Sequence, residues 1–125
     1  MDQKYPKNEK LKQKREIDLL FNKGKWHSCG NLRIITLDFD AKPQENFTLE
    51  NQKVGVSVSK RNFKKAVDRN RIKRLLREAY RLNKTVFTSK FGTHSLSMLF
   101  WISKNIPQNF SEVEKEFLKL CESKK

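Results

Sequence analysis

The stretch Lys53–Lys84, KVGVSVSKRNFKKAVDRNRIKRLLREAYRLNK, decides the fold. Its first residues alternate strictly. Val54, Val56 and Val58 point one way and Gly55, Ser57 and Ser59 the other, which is the period-2 pattern of a strand. The second face is unusually small and polar, so it either packs under a loop or helix or leaves room for a ligand to lie across it. From Asn62 or Asp68, the two candidate caps, to about Lys84 the period becomes helical. At roughly 100° per residue, with Ile72 as origin, Leu75, Leu76, Ala79, Tyr80 and Leu82 gather around Ile72. Asn70, Lys73, Arg74, Arg77, Arg81 and Lys84 occupy an arc from roughly 100° to 200° on the same wheel. One side of this helix is core and the other is a cationic rail.

Outward from this unit, Ile17, Leu20 and Phe21 fall at i, i+3 and i+4 within Lys12–Lys23, and Gly24 follows as a stop signal, which predicts a first helix. Asn31–Phe39 is rich in Ile and Leu and too brief for a helix, so it reads as a strand. Asp38–Gln52 is a loop, with a short strand expected near Phe47-Thr48-Leu49. His94–Ile102 reads as a strand buried toward its end. After Pro107, Ser111-x-x-Glu114 has the form of a capping box, and Val113, Phe117, Leu120 and Cys121 continue at helical spacing. Residues 1–10 are polar and Lys-rich and are expected to form a flexible basic tail.

The chain has 125 residues, with 28 Lys+Arg against 14 Asp+Glu and a formal charge of +14. That length suits one domain with a modest core, and nine Phe, two Trp and two Tyr supply core material that a disordered basic tail would lack. The longest apolar run, Met98–Ile102, is far shorter than the roughly 18 residues a membrane span needs. The polar N-terminus carries no signal-peptide pattern, so a cytosolic location is expected. Cys29 and Cys121 are expected as free thiols, and His27-x-Cys29 alone is too little for a zinc site.

The charge is concentrated. Residues 60–84 hold eleven bases (Lys60, Arg61, Lys64, Lys65, Arg69, Arg71, Lys73, Arg74, Arg77, Arg81 and Lys84) and two acids, Asp68 and Glu78. Such a block beside near-neutral segments attracts polyanions. A basic helix can also lie on anionic lipid, but this rail lacks the Trp and Phe such helices use. It could equally be a solvated face tied by pairs such as Arg74–Glu78. Against that, no acid interrupts the bases between 69 and 77, an arrangement that repels itself unless an anion is bound. Guanidinium forks match phosphate oxygens, and Asn70 among them can donate and accept at once. Nucleic acid is the expected partner class; composition does not separate DNA from RNA.

KVGVSVSK followed by KKAVDRNRIKRLLREAYR, with Arg69-Asn70-Arg71 at its centre, resembles the signature of the bacterial ribonuclease P protein component. The resemblance is dense over Lys53–Arg81 and thinner at the first helix and Gly24. It implies an α+β fold: a compact, ribosomal-protein-like α/β sandwich with one mixed sheet of about four strands, three helices and a left-handed strand–helix–strand crossover, against the usual right-handed rule. Residues 11–125 would form a single RNA-binding domain. The resemblance also implies an accessory subunit of an RNA-catalysed endoribonuclease that removes the 5′ leader from precursor tRNA. Magnesium would be bound mainly by the RNA subunit, and the protein would carry no catalytic residue. The implied partners are ribonuclease P RNA and precursor tRNA, with no membrane and no obligate protein partner.

By motif, Arg69, Asn70, Lys73, Arg74 and Arg77 would face the catalytic RNA, joined by the surrounding Lys60, Arg61, Lys64, Lys65, Arg71 and Arg81. A cleft between the first helix and the sheet would hold the single-stranded leader, with Ile17, Phe21, Ser57 and Ser59 among its walls. Ile17 stands where the family often has an aromatic. Charge alone suits a ribosomal or general RNA-binding protein equally. An enzymatic rival would pair His27 with His94 as acid and base, but nothing in the sequence brings them together.

Overall fold

The computed structural model describes residues 5–44, 49 and 51–124. Lys25–Cys29 (β1), Leu32–Asp38 (β2), Lys53–Val58 (β3) and Ser95–Trp101 (β4) form one mixed sheet in the order β1-β2-β4-β3. The β1–β2 and β2–β4 pairs are antiparallel and β3–β4 is parallel. A parallel pair of neighbours needs a crossover. It is supplied by α2 (Ala66–Leu82) and α3 (Lys84–Phe91), while α1 (Lys14–Lys23) precedes the sheet and α4 (Phe110–Ser123) follows it.

Strand alternation divides the core in two. Leu32, Ile34, Val54, Val58, Leu99 and Trp101 face one way, onto Ile72, Leu76 and Tyr80 of α2, Phe87 and Phe91 of α3, and Val113 and Phe117 of α4. Ile35, Leu37 and Leu96, with Met98 and Phe100, face the other way, onto Leu20, Ile17 and Leu19 of α1 and onto Leu11. The sheet is therefore sandwiched between α1 and the other three helices, which cover its two apolar faces.

Four departures from the sequence expectations have physical causes. Where three helices are expected, α3 is a fourth. Its sequence KTVFTSKF has little amphipathic period, and it is held by two aromatics at i and i+4. Phe87 meets Tyr80 edge-on with centroids 5.3 Å apart and lies 6.1 Å from Phe117, while Phe91 lies 4.8 Å from Phe87. Asn83 makes the joint between α2 and α3, its Nδ2 donating to Ala79 O at 2.8 Å and to Glu114 Oε2 at 3.0 Å.

The fourth strand is β1, at one edge; Phe47 and Thr48 of the short strand expected near Leu49 lie outside the described residues. A two-residue turn, Gly30-Asn31, joins β1 to β2, with Gly30 at φ 58° in the left-handed region that such hairpin turns use. Asn31 N–H donates to Glu116 of α4 at 3.2 Å, docking the turn. The cap of α4 is Asn109 rather than Ser111. Asn109 Oδ1 accepts from Glu112 N–H at 3.0 Å, and the Glu112 carboxylate accepts Gln108 N–H at 2.7 Å. Half-buried Phe110 is drawn into the first turn by the core, so the helix starts ahead of Ser111.

The expected tail falls partly outside the described residues, at 1–4. Residues 5–10 are seated on the body. Tyr5 packs edge-on against Tyr80 at 5.1 Å and donates its hydroxyl to Val54 O. A short 3₁₀ turn, Lys7–Glu9, follows, and Lys10 forms a parallel bridge to Val54 while Leu11 N–H donates to Val54 O at 3.2 Å. The N-terminal segment thus covers part of the open edge of β3, which would otherwise present unpaired backbone groups. Cys29 and Cys121 are both free thiols.

Candidate nucleic-acid interface

Burying Ile72, Leu76, Ala79 and Tyr80 fixes the rotation of α2. The rail then turns outward: Asn70, Arg74 and Arg77 are exposed and Lys73 is half-buried. Among the described residues no carboxylate is ion-paired with any of these cations. The loop from Ser59 to Lys65 extends the surface. Phe63 is buried and anchors it, Ser59 Oγ accepts Arg61 N–H at 3.0 Å, and Lys60, Arg61, Lys64 and Lys65 all point to solvent.

Four residues grouped with the rail behave differently. Arg69 folds back and donates through Nη1 to Phe63 O at 2.8 Å and Lys64 O at 2.9 Å, so it staples the loop to the helix. Arg71 lies on the opposite flank and reaches Gln108 O at 3.3 Å. The Arg74–Glu78 pair that a merely solvated face would use is absent. Glu78 instead takes both Nε and Nη2 of Arg81, at 3.0 and 2.8 Å, and those hydrogen bonds hold its carboxyl below the usual carboxylate range. Lys84 begins α3 and is tied to Glu9 at 3.0 Å with both side chains mostly buried. The free cationic surface is therefore narrower than the wheel suggests, centred on Asn70, Lys73, Arg74 and Arg77 with the loop bases.

Between α1 and the sheet lies a second feature. Parallel pairing with β4 places Ser57 beside Phe100, which in turn neighbours Arg33 on β2. On the same face Phe21, Trp26 and Phe100 form a cluster: Trp26–Phe100 centroids are 5.5 Å apart, Phe21–Trp26 6.0 Å and Phe21–Phe100 6.3 Å. The Arg33 guanidinium sits 4.1 Å over the Trp26 ring. Phe21 is 43% exposed and Trp26 45%, so two aromatic surfaces and a cation meet solvent together.

Of the four residues expected in the cleft, Phe21 lines this cluster, Ser57 lies next to it, and Ile17 is half-buried against the α1 core. Ser59 does not belong to it, because β3 ends at Val58 and Ser59 caps the following turn. Near Gly55 the small face is already filled: a Cβ there would stand 3.2 Å from Met98 Cε and 3.4 Å from Leu11 Cβ. Trp26, Arg33 and Phe100 belong to no motif that the sequence alone singles out as a site. The Gly-Asn turn after Cys29 was the available signal for β1, and with it for the face of Trp26.

A trough of about 290 Å³ lined by Tyr5, Lys10, Lys12, Val56 and Arg77 runs along the β3 edge, linking the rail to the N-terminal segment. The two histidines are held apart in separate contacts, His27 with Ser123 Oγ at 2.7 Å and His94 with Asp40 Oδ2 at 3.0 Å. Among the described residues no group of three or more His, Cys, Asp or Glu side chains is placed to hold a metal ion, and no helix is long and apolar enough to cross a membrane.

A family model described as Ribonuclease P matches residues 5–125. The ribonuclease P protein component of Porphyromonas gingivalis is 33% identical over 116 residues, covering 90% of this chain and 80% of that protein. That of Chlorobaculum tepidum is 35% identical over 101 residues, covering 76% and 64%. Among solved structures, the Staphylococcus aureus RNase P protein superposes with a TM-score of 0.70 at 17% identity, over 91% of this chain and 93% of that one. The Thermotoga maritima RNase P protein gives 0.68 at 23% identity, over 90% and 94%. These structures share the fold, and the family match and the relatives share the sequence that makes it: the chain belongs to the ribonuclease P protein family.

Proposed function

We propose that this chain is the protein subunit of ribonuclease P, acts in the cytoplasm, and contributes to removal of the 5′ leader of precursor tRNA by binding RNA. The observation that carries the reading is the outward group of Asn70 with the cations Lys73, Arg74 and Arg77, which have no carboxylate partners among the described residues and are continuous with the loop bases Lys60, Arg61, Lys64 and Lys65. A folded RNA offers fixed phosphates to such a surface. The cluster of Phe21, Trp26 and Phe100 beside Arg33 suits the unpaired bases of a single-stranded leader, which stack on aromatic rings beside positive charge.

Chemistry and magnesium belong, in this reading, to the RNA subunit. The chain's own part toward the metal is indirect. Its cations lower repulsion between the phosphates of two apposed RNAs, which strengthens substrate binding and retention of divalent cations nearby. Titration of precursor tRNAs with long and short leaders, with and without the protein, tests the cleft. Tightening of the long-leader substrate alone is expected; equal tightening of both removes the cleft from the account. Purified protein incubated with precursor tRNA and magnesium but without the RNA subunit is expected to leave it intact, and specific 5′ cleavage would place the chemistry on the protein.

A further inference from the structure

We propose a second phosphate-binding locus at the far edge of the sheet, a pocket of about 440 Å³ where Lys23, Lys25, Lys42, Lys90 and Lys124 converge and which takes an RNA phosphodiester backbone. The proposal rests on the ribonuclease P reading for the identity of the polyanion. Its geometry is independent of the rail. Lys25 opens β1, one edge of the sheet, whereas α2 packs over β3, the other edge. Three strand spacings, roughly 14 Å, separate those edges. That exceeds the Debye length of about 8 Å at physiological ionic strength, so the two loci attract different phosphates.

The alternative use of these lysines is helix capping, since α1, α3 and α4 all end at this pole. Lys23 and Lys90 lie in the last turns of α1 and α3, and Lys124 follows α4. Charge decides between the two. Each helix C-terminus carries roughly half a negative charge. Together with Asp38, the carboxylate that lines the pocket, they offset only about half of the five positive charges. Lys42 lies at no helix end, and Lys25, one residue past the Gly24 cap of α1, belongs to β1; both are exposed and have no ion-pair partner among the described residues. Lys23, Lys90 and Lys124 already serve the three helix ends, and a backbone phosphate held between Lys25 and Lys42 gives both of these a partner.

The double variant Lys25→Gln/Lys42→Gln tests the proposal in the reconstituted holoenzyme. Binding of the RNA subunit by the protein, and of precursor tRNA by the holoenzyme, is measured across a salt series, with thermal unfolding of each variant alongside. The expected result is a salt slope shallower by about 1 to 2 units in one of the two binding arms, at unchanged melting temperature. The arm that changes identifies which RNA supplies the phosphates. Unchanged slopes in both arms overturn the proposal. Arg74→Ala serves as reference: a shallower slope there with none from the lysine pair removes this locus alone, whereas no change from either variant removes the RNA-binding reading itself.

Discussion

Arg74 and Arg69 stand on one helix and do different work, because rotation about its axis decides what each guanidinium meets. Arg74 faces solvent, while Arg69 donates to the carbonyls of Phe63 and Lys64. Arg74→Ala or Arg77→Ala is therefore expected to flatten the salt dependence of RNA-subunit binding by about one unit of slope per lost phosphate contact, with the fold intact by circular dichroism. Arg69→Ala is expected to lower stability as well, by about 1 kcal/mol or more, because two loop carbonyls lose their donor. In the cleft, Trp26→Ala is expected to weaken binding of long-leader substrate by about 1–3 kcal/mol and to leave short-leader substrate unaffected, as measured by titration. Gly24 is constrained by close approach. A Cβ there would stand 2.5 Å from Leu20 O and 2.8 Å from Ile35 Cγ1, so Gly24→Ala forces α1 away from the sheet that makes the cleft with it.

At the scale of elements, α1 is docked by an ion pair as well as by Leu20. Lys53 Nζ on β3 lies 2.8 Å from Glu16 Oε2, with the Glu16 side chain 8% exposed and that of Lys53 19%. The pair ties the first helix to the strand whose face forms the cleft floor. The cap of α4 offers a clean comparison between two nearby candidates. Asn109→Ala is expected to cost about 1 kcal/mol in a denaturant titration, and Ser111→Ala less than about 0.5 kcal/mol. Equal effects would contradict the observed hydrogen bond from Glu112 N–H to Asn109. Helix α3 depends on its aromatics, so Phe87→Ala is expected to cost about 3–5 kcal/mol.

Across the whole molecule, one hydrogen-bonded network joins segments far apart in sequence. The Tyr80 hydroxyl donates to Glu9 Oε1 at 2.7 Å and accepts from Gln52 Nε2 at 2.7 Å, and Thr88 Oγ1 donates to Gln52 Oε1 at 2.7 Å. Burial pushes the Tyr80 hydroxyl above its ordinary value, with the hydrogen bond to Glu9 adding to the shift. Burial likewise pushes Tyr5 up to about 12 from 10.0 and the Cys121 thiol up to about 12 from 9.0. All three shifts keep the neutral form in the folded state. The folded chain therefore retains protons that the unfolded chain releases, and the associated stability is present below pH 9 and lost as pH rises toward 12. Melting temperature is expected to fall across that window, and Cys121→Ala to move the onset of the fall upward, toward the ordinary tyrosine range.

Residue patterns alone located the strand read over Lys53–Ser59, one residue longer than β3, together with the helix behind it and the side of that helix which turns outward, because period-2 and period-3.6 patterns are local and the apolar stripe of α2 is unbroken. The sequence also carried the family signature. The tertiary structure alone decided which bases stay available. Arg69, Arg71, Arg81 and Lys84 find partners at Phe63, Gln108, Glu78 and Glu9, and only the last turn of α2 places one of those partners within helical reach. It alone assembled Phe21, Trp26, Phe100 and Arg33, which come from one helix and three strands. Local patterns record which face a side chain takes; pairing between strands distant in the chain sets which neighbours share that face.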